Sequence, residues 1–75
     1  MWGSLMGKLT RAKVVRMARG ESQEMAGVAL GVTSRTVSRF EAGEMRIDSM
    51  RVGFVSKAEK YYGLPVSELV QEFAA

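Results

Sequence analysis

Apolar residues recur along this chain at spacings of three and four, the period of an α-helix that packs one face on a core. Glycines interrupt the periodic stretches, and no long stretch alternates apolar and polar residues as a half-exposed strand would. The pattern predicts an all-α domain of five short helices. The expected ranges are about 9–19, 23–30, 34–42, a fourth helix from a cap at Asp48 or Ser49 to Tyr62, and a fifth that starts near Pro65 and includes residue 73.

Hydroxyl side chains stand in front of three of the predicted helices. Thr10, Ser22 and Thr33 each precede a helical stretch and are predicted N-caps, because their oxygens can accept a bond from a free amide of the first turn. Gly31 is predicted to end the second helix in a left-handed conformation, which is nearly free of strain for glycine. The second and third helices are therefore expected to be joined by a tight turn.

The second and third helices share a set of apolar positions that predicts how they pack. These positions are expected to face inward and fix the crossing angle of the pair: Ala26, Leu30, Val32, Val37 and Phe40. Gly27 is small at the point where the two helices are expected to approach most closely. The remaining positions of the third helix are polar and should point outward: Ser34, Arg35, Thr36, Ser38 and Arg39.

The stretch SQExAxxxLGVTSRTVSRFEAGE, which begins at residue 22, resembles the helix-turn-helix of the lambda-repressor-like family. That family includes phage repressors, Cro proteins and many small bacterial regulators. The likeness is dense over residues 22–47 and looser over residues 9–73. It implies a five-helix lambda-repressor-like DNA-binding domain over 9–73, preceded by an N-terminal arm at 1–8. Residues 1–4 are either native or a cloning remnant, the native start then being Met6.

The resemblance also implies which residues meet DNA. Gln23 matches the glutamine that bonds a phosphate and braces the third helix. Ser34, Arg35 and Arg39 match positions that meet base edges in the major groove, where the fork of arginine suits guanine. Both arginines can also be interpreted as ordinary solvated side chains, which is the favoured interpretation for a surface arginine outside such a motif.

Four further positions match backbone contacts. Thr33, Thr36 and Ser38 are candidates for contacts to phosphate or to a thymine methyl group. Arg46, in the loop after the third helix, is expected either to reach the phosphate backbone or to be simply exposed.

Two more sets of residues receive structural roles. Arg16 and Glu41 match a partly buried salt bridge between the first helix and the end of the third. Leu69, Val70 and Phe73 give the last helix an apolar face, which is expected either to complete the core or to form a homodimer interface.

The chain also departs from the family pattern in three places. Glu21 replaces the usual apolar residue, so the lead-in to the second helix is expected to be more exposed. Met25 replaces the Glu or Gln that would complete a capping box. The fourth helix is expected to be about one turn longer than is usual in the family.

The amino-acid composition further limits the classes of function that the chain could have. The 75 residues contain no cysteine and no histidine, which removes disulfides, thiolate metal sites and the commonest general base. Residues 1–51 hold nine Lys/Arg and five Asp/Glu, a surplus of +4, whereas residues 52–75 hold two and three, or −1. The basic surplus thus lies with the helix pair, as expected for a polyanion partner. An enzyme, a cofactor and a small-molecule substrate are not expected.

Together these features predict a sequence-specific DNA-binding transcriptional regulator that binds double-stranded DNA. A repressor is expected rather than an activator, with a homodimer on a pseudo-palindromic operator. The alternative is a protein-binding module on the same fold, antitoxin-like or an anti-repressor partner, that uses the face around Phe73. No membrane span or signal peptide is found, so a cytoplasmic protein associated with the nucleoid is expected. The operator and the regulated genes are not specified by the sequence.

Overall fold

Five α-helices form in the computed structural model, which describes residues 9–72. They are α1 (Arg11–Ala18), α2 (Gln23–Leu30), α3 (Ser34–Glu41), α4 (Val52–Tyr62) and α5 (Val66–Leu69), with a 3₁₀ turn (Ile47–Ser49) before α4. The predicted all-α class is confirmed for this part of the chain. The predicted N-terminal arm and the last residue of the predicted domain lie outside the described residues.

Local side-chain caps start the first three helices, as the sequence predicts. Thr10, Ser22 and Thr33 have extended backbones, and each side-chain oxygen accepts a bond of 3.1–3.4 Å from the amide three residues later. Ser22 caps α2 although Met25 cannot return the second bond of a capping box. Gly31 ends α2 at φ 73°, the left-handed conformation that glycine adopts at little cost.

One core joins all five helices. Its buried apolar members are Ala12, Ala26, Leu30, Val37, Phe40, Ala58, Tyr62, Val66 and Leu69. Four of the five positions predicted to face inward from α2 and α3 are therefore buried, and the fifth, Val32, is half-buried. Phe40 lies at the centre, with its ring 5.3 Å from Phe54 in an edge-on contact and 5.8 Å from Tyr62.

Gly27 occupies the tightest point between α2 and the turn that leads into α3. A Cβ atom added there would lie 2.6 Å from the carbonyl oxygen of Val32. The sequence correctly predicts that only a small residue fits at this point. The close neighbour is the backbone of the turn, and this contact fixes the path by which the chain enters α3.

The C-terminal helices differ from the prediction. The fourth helix begins at Val52 and not after a cap at Asp48 or Ser49, because those two residues lie in the separate 3₁₀ turn. The backbone is extended at Met50 and Arg51, which ends the turn and lets Met50 pack on the core. The predicted long fourth helix is therefore wrong.

The fifth helix is also shorter than predicted. It ends at Leu69, because the chain then turns back to pair with the start of α1. Glu72 forms an isolated antiparallel bridge with Thr10, and the amide of Arg11 donates to the carbonyl of Gln71 at 3.1 Å. This return holds the two ends of the described chain together.

Candidate nucleic-acid interface

The outer side of α3 presents a row of polar side chains to solvent. Arg35, Ser38 and Arg39 are exposed, and Ser34 and Thr36 are half-buried. Arg35 makes no hydrogen bond or ion pair with any described residue. The sequence correctly predicts that Arg35, Ser38 and Arg39 point outward, whereas Ser34 and Thr36 are partly covered.

Glu41, the last residue of α3, lies on its inner side and forms a buried ion pair with Arg16 of α1. Arg16 Nε donates to both carboxylate oxygens of Glu41, at 3.0 and 2.8 Å, and Glu41 is only 1% exposed. The hydroxyl of Tyr62 donates to the same carboxylate at 2.9 Å, and that of Thr10 donates to the Glu41 carbonyl at 2.7 Å. The predicted salt bridge is confirmed, and side chains from α1, its cap residue and α4 together hold the end of α3.

A second layer of bonds extends this network toward α2. Arg16 Nη1 donates to the carbonyl of Glu21 at 2.7 Å, and the Glu21 carboxylate accepts a bond from the hydroxyl of Tyr61. Glu21 is half-buried, and its neighbours Gly20 and Ser22 are exposed. Arg19 donates to the carbonyls of Tyr61 and Tyr62, which ties the end of α1 to the end of α4.

The environment of this network sets the charge of its members. The hydrogen bond that Arg16 donates to Glu41 raises the pKa of Arg16, outweighing the opposing effect of burial. Burial, and then the bond to Glu21, raises the pKa of Tyr61 to about 12. Burial and the charge of Glu41 raise the pKa of Tyr62 as well. At neutral pH the network therefore joins a charged Arg16 to neutral phenols.

A depression of about 330 Å³ lies beside the exposed side of α3. It is lined by Thr36, Arg39, Glu44, Met45, Arg46, Ser49 and Met50. Arg39 lies 3.8 Å from Glu44, and Arg46 lies 3.4 Å from Asp48. All four side chains of these pairs are more than 60% exposed, and such pairs contribute about 0–1 kcal/mol. Both arginines can therefore exchange a carboxylate for another anion at little cost.

Two other predicted contact residues flank the start of a helix. Thr33 uses its hydroxyl to cap α3, and this oxygen also lies 3.2 Å from the hydroxyl of Thr36. Gln23, the first residue of α2, is half-buried, and its side chain makes no hydrogen bond with a described residue. The structure thus brings Thr33, Thr36 and the arginines of α3 to one surface, and it leaves the amide of Gln23 available.

The predicted dimer surface on the last helix requires a correction. Leu69 is fully buried in the core of the domain, so its side chain cannot meet a second subunit. Val70 is half-buried and packs against that core. Phe73 lies outside the described residues. The apolar positions of α5 serve the fold because α5 closes one side of the core against α1 and α4.

Sequence reasoning missed the two hydroxyl groups that complete the Glu41 site. The sequence predicts Thr10 only as a cap and Tyr62 only as the end of the fourth helix, and each also bonds Glu41. A usable signal did exist, since a tyrosine at an inward position needs a partner for its hydroxyl. The residue that would supply the partner could not be identified without the fold.

The structure of residues 9–72 shows neither a cluster of metal ligands nor a membrane-spanning helix. No group of three or more acidic residues lies close enough together there to hold a metal ion. The helices of this region are too short, and not apolar enough, for any to cross a membrane. Comparisons with protein-family models, with curated proteins and with solved structures find no match to the chain.

Proposed function

We propose that this chain is a sequence-specific DNA-binding regulator of the lambda-repressor-like type. In this proposal α2, the turn at Gly31 and α3 form a helix-turn-helix, and α3 enters the major groove. The observation that carries the proposal is the contrast in α3 between a firmly anchored inner side and an exposed outer side on which Arg35 has no partner among residues 9–72. A rigid helix with available donors suits the reading of base edges.

The exposed residues of α3 divide into two kinds of contact. Arg35 and Arg39 suit guanine, whose O6 and N7 accept two parallel bonds from a guanidinium. Thr33, Thr36 and Ser38 suit phosphates or a thymine methyl group. Ser34, near the amino end of the helix, is the shortest of the candidates for a base contact.

Phosphate contacts are expected to supply much of the affinity. Arg39 and Arg46 would exchange their weak pairs with Glu44 and Asp48 for phosphates at the rim of the groove. Gln23 would donate its free amide to a phosphate at the start of α2. Because these contacts release counterions from DNA, the affinity is expected to fall steeply as salt is added.

The proposed regulator binds as a homodimer and represses by occupying its operator. Two copies on a pseudo-palindrome would place their α3 helices about 34 Å apart, one turn of DNA. Because Leu69 is buried, the centre of α5 cannot form the dimer contact. In this proposal the dimer interface therefore does not lie on α5. In a cell, the proposed location is the cytoplasm, on the nucleoid.

The test is a selection of binding sites from randomised duplexes, followed by titration of the selected site. Arg35→Ala is expected to weaken binding to that site by about 1–3 kcal/mol and to relax the preference at one base pair. Arg35→Lys keeps the charge but not the fork, so the base preference should fall more than the affinity for random DNA.

Lys60→Ala is the matched control, since it removes one exposed positive charge from α4, away from α3. It should leave the base preference unchanged. The proposal is rejected if no site is enriched, or if the Arg35 variants select the same sites as the wild type with the same affinity.

A further inference from the structure

A second depression, of about 190 Å³, lies between α2 and α4. Ala29, Lys57, Lys60 and Tyr61 line it. It shares no residue with the depression beside α3, and it contains none of the candidate DNA contacts. Its lining is mostly apolar, formed by the Ala29 methyl group, the Tyr61 ring and the methylene stems of the two lysines.

The outer face of α2 continues this depression as an apolar strip. Val28 is 85% exposed and Met25 is 54% exposed, although both are among the larger apolar side chains of the helix. Met25 precedes Ala29 by four residues, so helical geometry places the two side chains side by side. The α2–α4 groove, defined here by Met25, Val28, Ala29 and Tyr61, therefore presents exposed apolar surface on its α2 side.

One wall of the groove is positively charged. Lys57 and Lys60 are exposed and form no ion pair with a described carboxylate. Two acidic groups on neighbouring elements are already engaged: Glu59 accepts the amide of Val66 at 2.8 Å, and Glu21 accepts the hydroxyl of Tyr61. Glu24, in the first turn of α2, is exposed and is the nearest carboxylate in sequence to Met25. The two lysines thus stand out in a C-terminal segment whose net charge is −1 over residues 52–75.

The floor of the groove is held in place before any partner arrives. The hydroxyl of Tyr61 is fixed by Glu21, and the guanidinium of Arg19 lies 5.6 Å from the centre of its ring. A side chain fixed in this way loses little conformational entropy when a ligand packs against it. Binding then requires ordering of the exposed lysines and of Met25 and Val28, but not of the Tyr61 ring.

We propose that the α2–α4 groove binds an acidic amphipathic helix of a partner protein. Such a helix would place apolar residues, three and four positions apart, against Val28 and Met25, and carboxylates against Lys57 and Lys60. A third helix fits between two helices, and residues 9–72 contain an isolated bridge but no strand whose edge could pair with an extended peptide. The area is small, so the complex is weak and transient.

The proposal does not depend on DNA binding, because the groove and the exposed side of α3 use different residues. A partner in the groove leaves Arg35 and Arg39 accessible. The domain can therefore hold a nucleic acid and a protein at the same time, or the protein alone.

The experiment uses two labelled peptides of about 15 residues, long enough to populate a helix. Both carry leucines at helical spacing, and their flanking charges are glutamate in one and lysine in the other. Each is titrated into the full chain by fluorescence anisotropy, with methyl NMR spectra recorded for Val28 and Met25. The glutamate peptide is expected to saturate, to shift those methyl signals and to bind at least about tenfold more tightly than the lysine peptide, a difference of about 1.4 kcal/mol.

Charge reversal sharpens the test. The double variant Lys57→Glu, Lys60→Glu should reverse the preference, so that the lysine peptide binds more tightly. Lys13→Glu, a matched change on α1, should leave the preference as it is in the wild type. Thermal melting of each variant checks that the fold is retained.

Four outcomes would overturn the proposal. They are equal binding of the two peptides, binding that shifts signals outside the groove, a preference that survives the double charge reversal, and a homodimer that Val28→Glu dissolves. The last would assign the face to a second copy of this chain. Because no DNA is present, a failure of this test leaves the proposed DNA-binding function intact, and the converse also holds.

Discussion

The polar side chains on the two sides of α3 differ in burial and in bonding. On the inner side, the Glu41 carboxylate receives bonds from Arg16 and Tyr62 and is almost fully buried. On the outer side, Arg35 is exposed and has no partner among residues 9–72. The buried ion pair and hydrogen bonds on the inner side fix the position of α3. The exposed guanidinium on the outer side is available to bind another molecule.

The difference also separates stability from binding. A buried ion pair is strongly destabilising when only one partner is removed, because the other charge remains desolvated and unpaired. An exposed side chain without contacts can be removed with little effect on folding. Changes on the inner side should therefore alter the free energy of unfolding, and changes on the outer side should alter recognition.

The largest effect is expected from Arg16→Ala. Glu41 would remain buried without its main partner, at a loss of about 3–5 kcal/mol in the free energy of unfolding. For a domain of this size, each kcal/mol corresponds to about 4–8 °C in Tm. Thermal and urea denaturation measure the effect, and a melting curve like that of the wild type would show that the inner side does not anchor α3.

A compensated variant sharpens this prediction. Arg16→Met combined with Glu41→Leu removes both charges and keeps apolar volume, so it should lose much less stability than Arg16→Ala alone. If the double variant is as unstable as the single one, the bonds that it loses, from Arg16 to the Glu21 carbonyl and from Tyr62 to the Glu41 carboxylate, outweigh the relief of the stranded charge.

The next largest effect is expected at Gly27. Gly27→Ala would bring a methyl group within 2.6 Å of the Val32 carbonyl, and the backbone of the turn must shift to relieve it. Overpacking of this kind costs about 1–3 kcal/mol, partly offset by the roughly 1 kcal/mol that alanine gains over glycine within a helix. Denaturation measures the stability. Under the proposed function the affinity for DNA should fall with it, because the turn sets the direction of α3.

Gly53→Ala is the matched control on α4. A Cβ atom added at Gly53 meets nothing within 4 Å, so only the helix preference of alanine acts. The variant should be more stable by about 0.5–1 kcal/mol. If Gly27→Ala lowers the free energy of unfolding and Gly53→Ala raises it, the steric constraint lies at the turn after α2. An increase in stability for Gly27→Ala would contradict this constraint.

The features that the sequence predicts well are local. Thr33 and Ser22 cap helices because a hydroxyl oxygen lies three residues before a free amide, a relation that needs no tertiary information. Gly31 is equally local. The outward direction of Arg35 follows from the spacing of Val37 and Phe40 on the opposite side of the same helix.

The features that the sequence misses depend on distant parts of the chain. Leu69 belongs to a set of apolar positions that would also suit an exposed strip for dimer formation. Only the packing of α5 against α1 and α4 buries it. The late start of α4 follows from an extended Met50, whose side chain packs on the core. Tyr62 reaches Glu41 across 21 positions, and no spacing rule links residues so far apart.

The last effect is confined to alkaline pH and is expected from titration of the two tyrosines, of which Tyr62 bonds Glu41 and Tyr61 bonds Glu21. An unfolded tyrosine loses its proton near pH 10, whereas the pKa of folded Tyr61 is about 12 and that of Tyr62 is also raised. Between those values the unfolded chain binds fewer protons than the folded one. The stabilisation from the raised pKa values is therefore fully present below pH 10, and the free energy of unfolding should fall as pH rises above 10.

Denaturation at a series of pH values, with tyrosinate absorbance followed in parallel, measures this effect. The chain contains two tyrosines, so Tyr61→Phe leaves the signal of Tyr62 alone and should reduce the alkaline loss of stability. Absorbance that rises near pH 10 in the folded protein would contradict the raised pKa values. A matching loss of stability in Tyr61→Phe would assign the alkaline sensitivity to Tyr62 and hence to its bond with Glu41, the point at which the inner side of α3 is held.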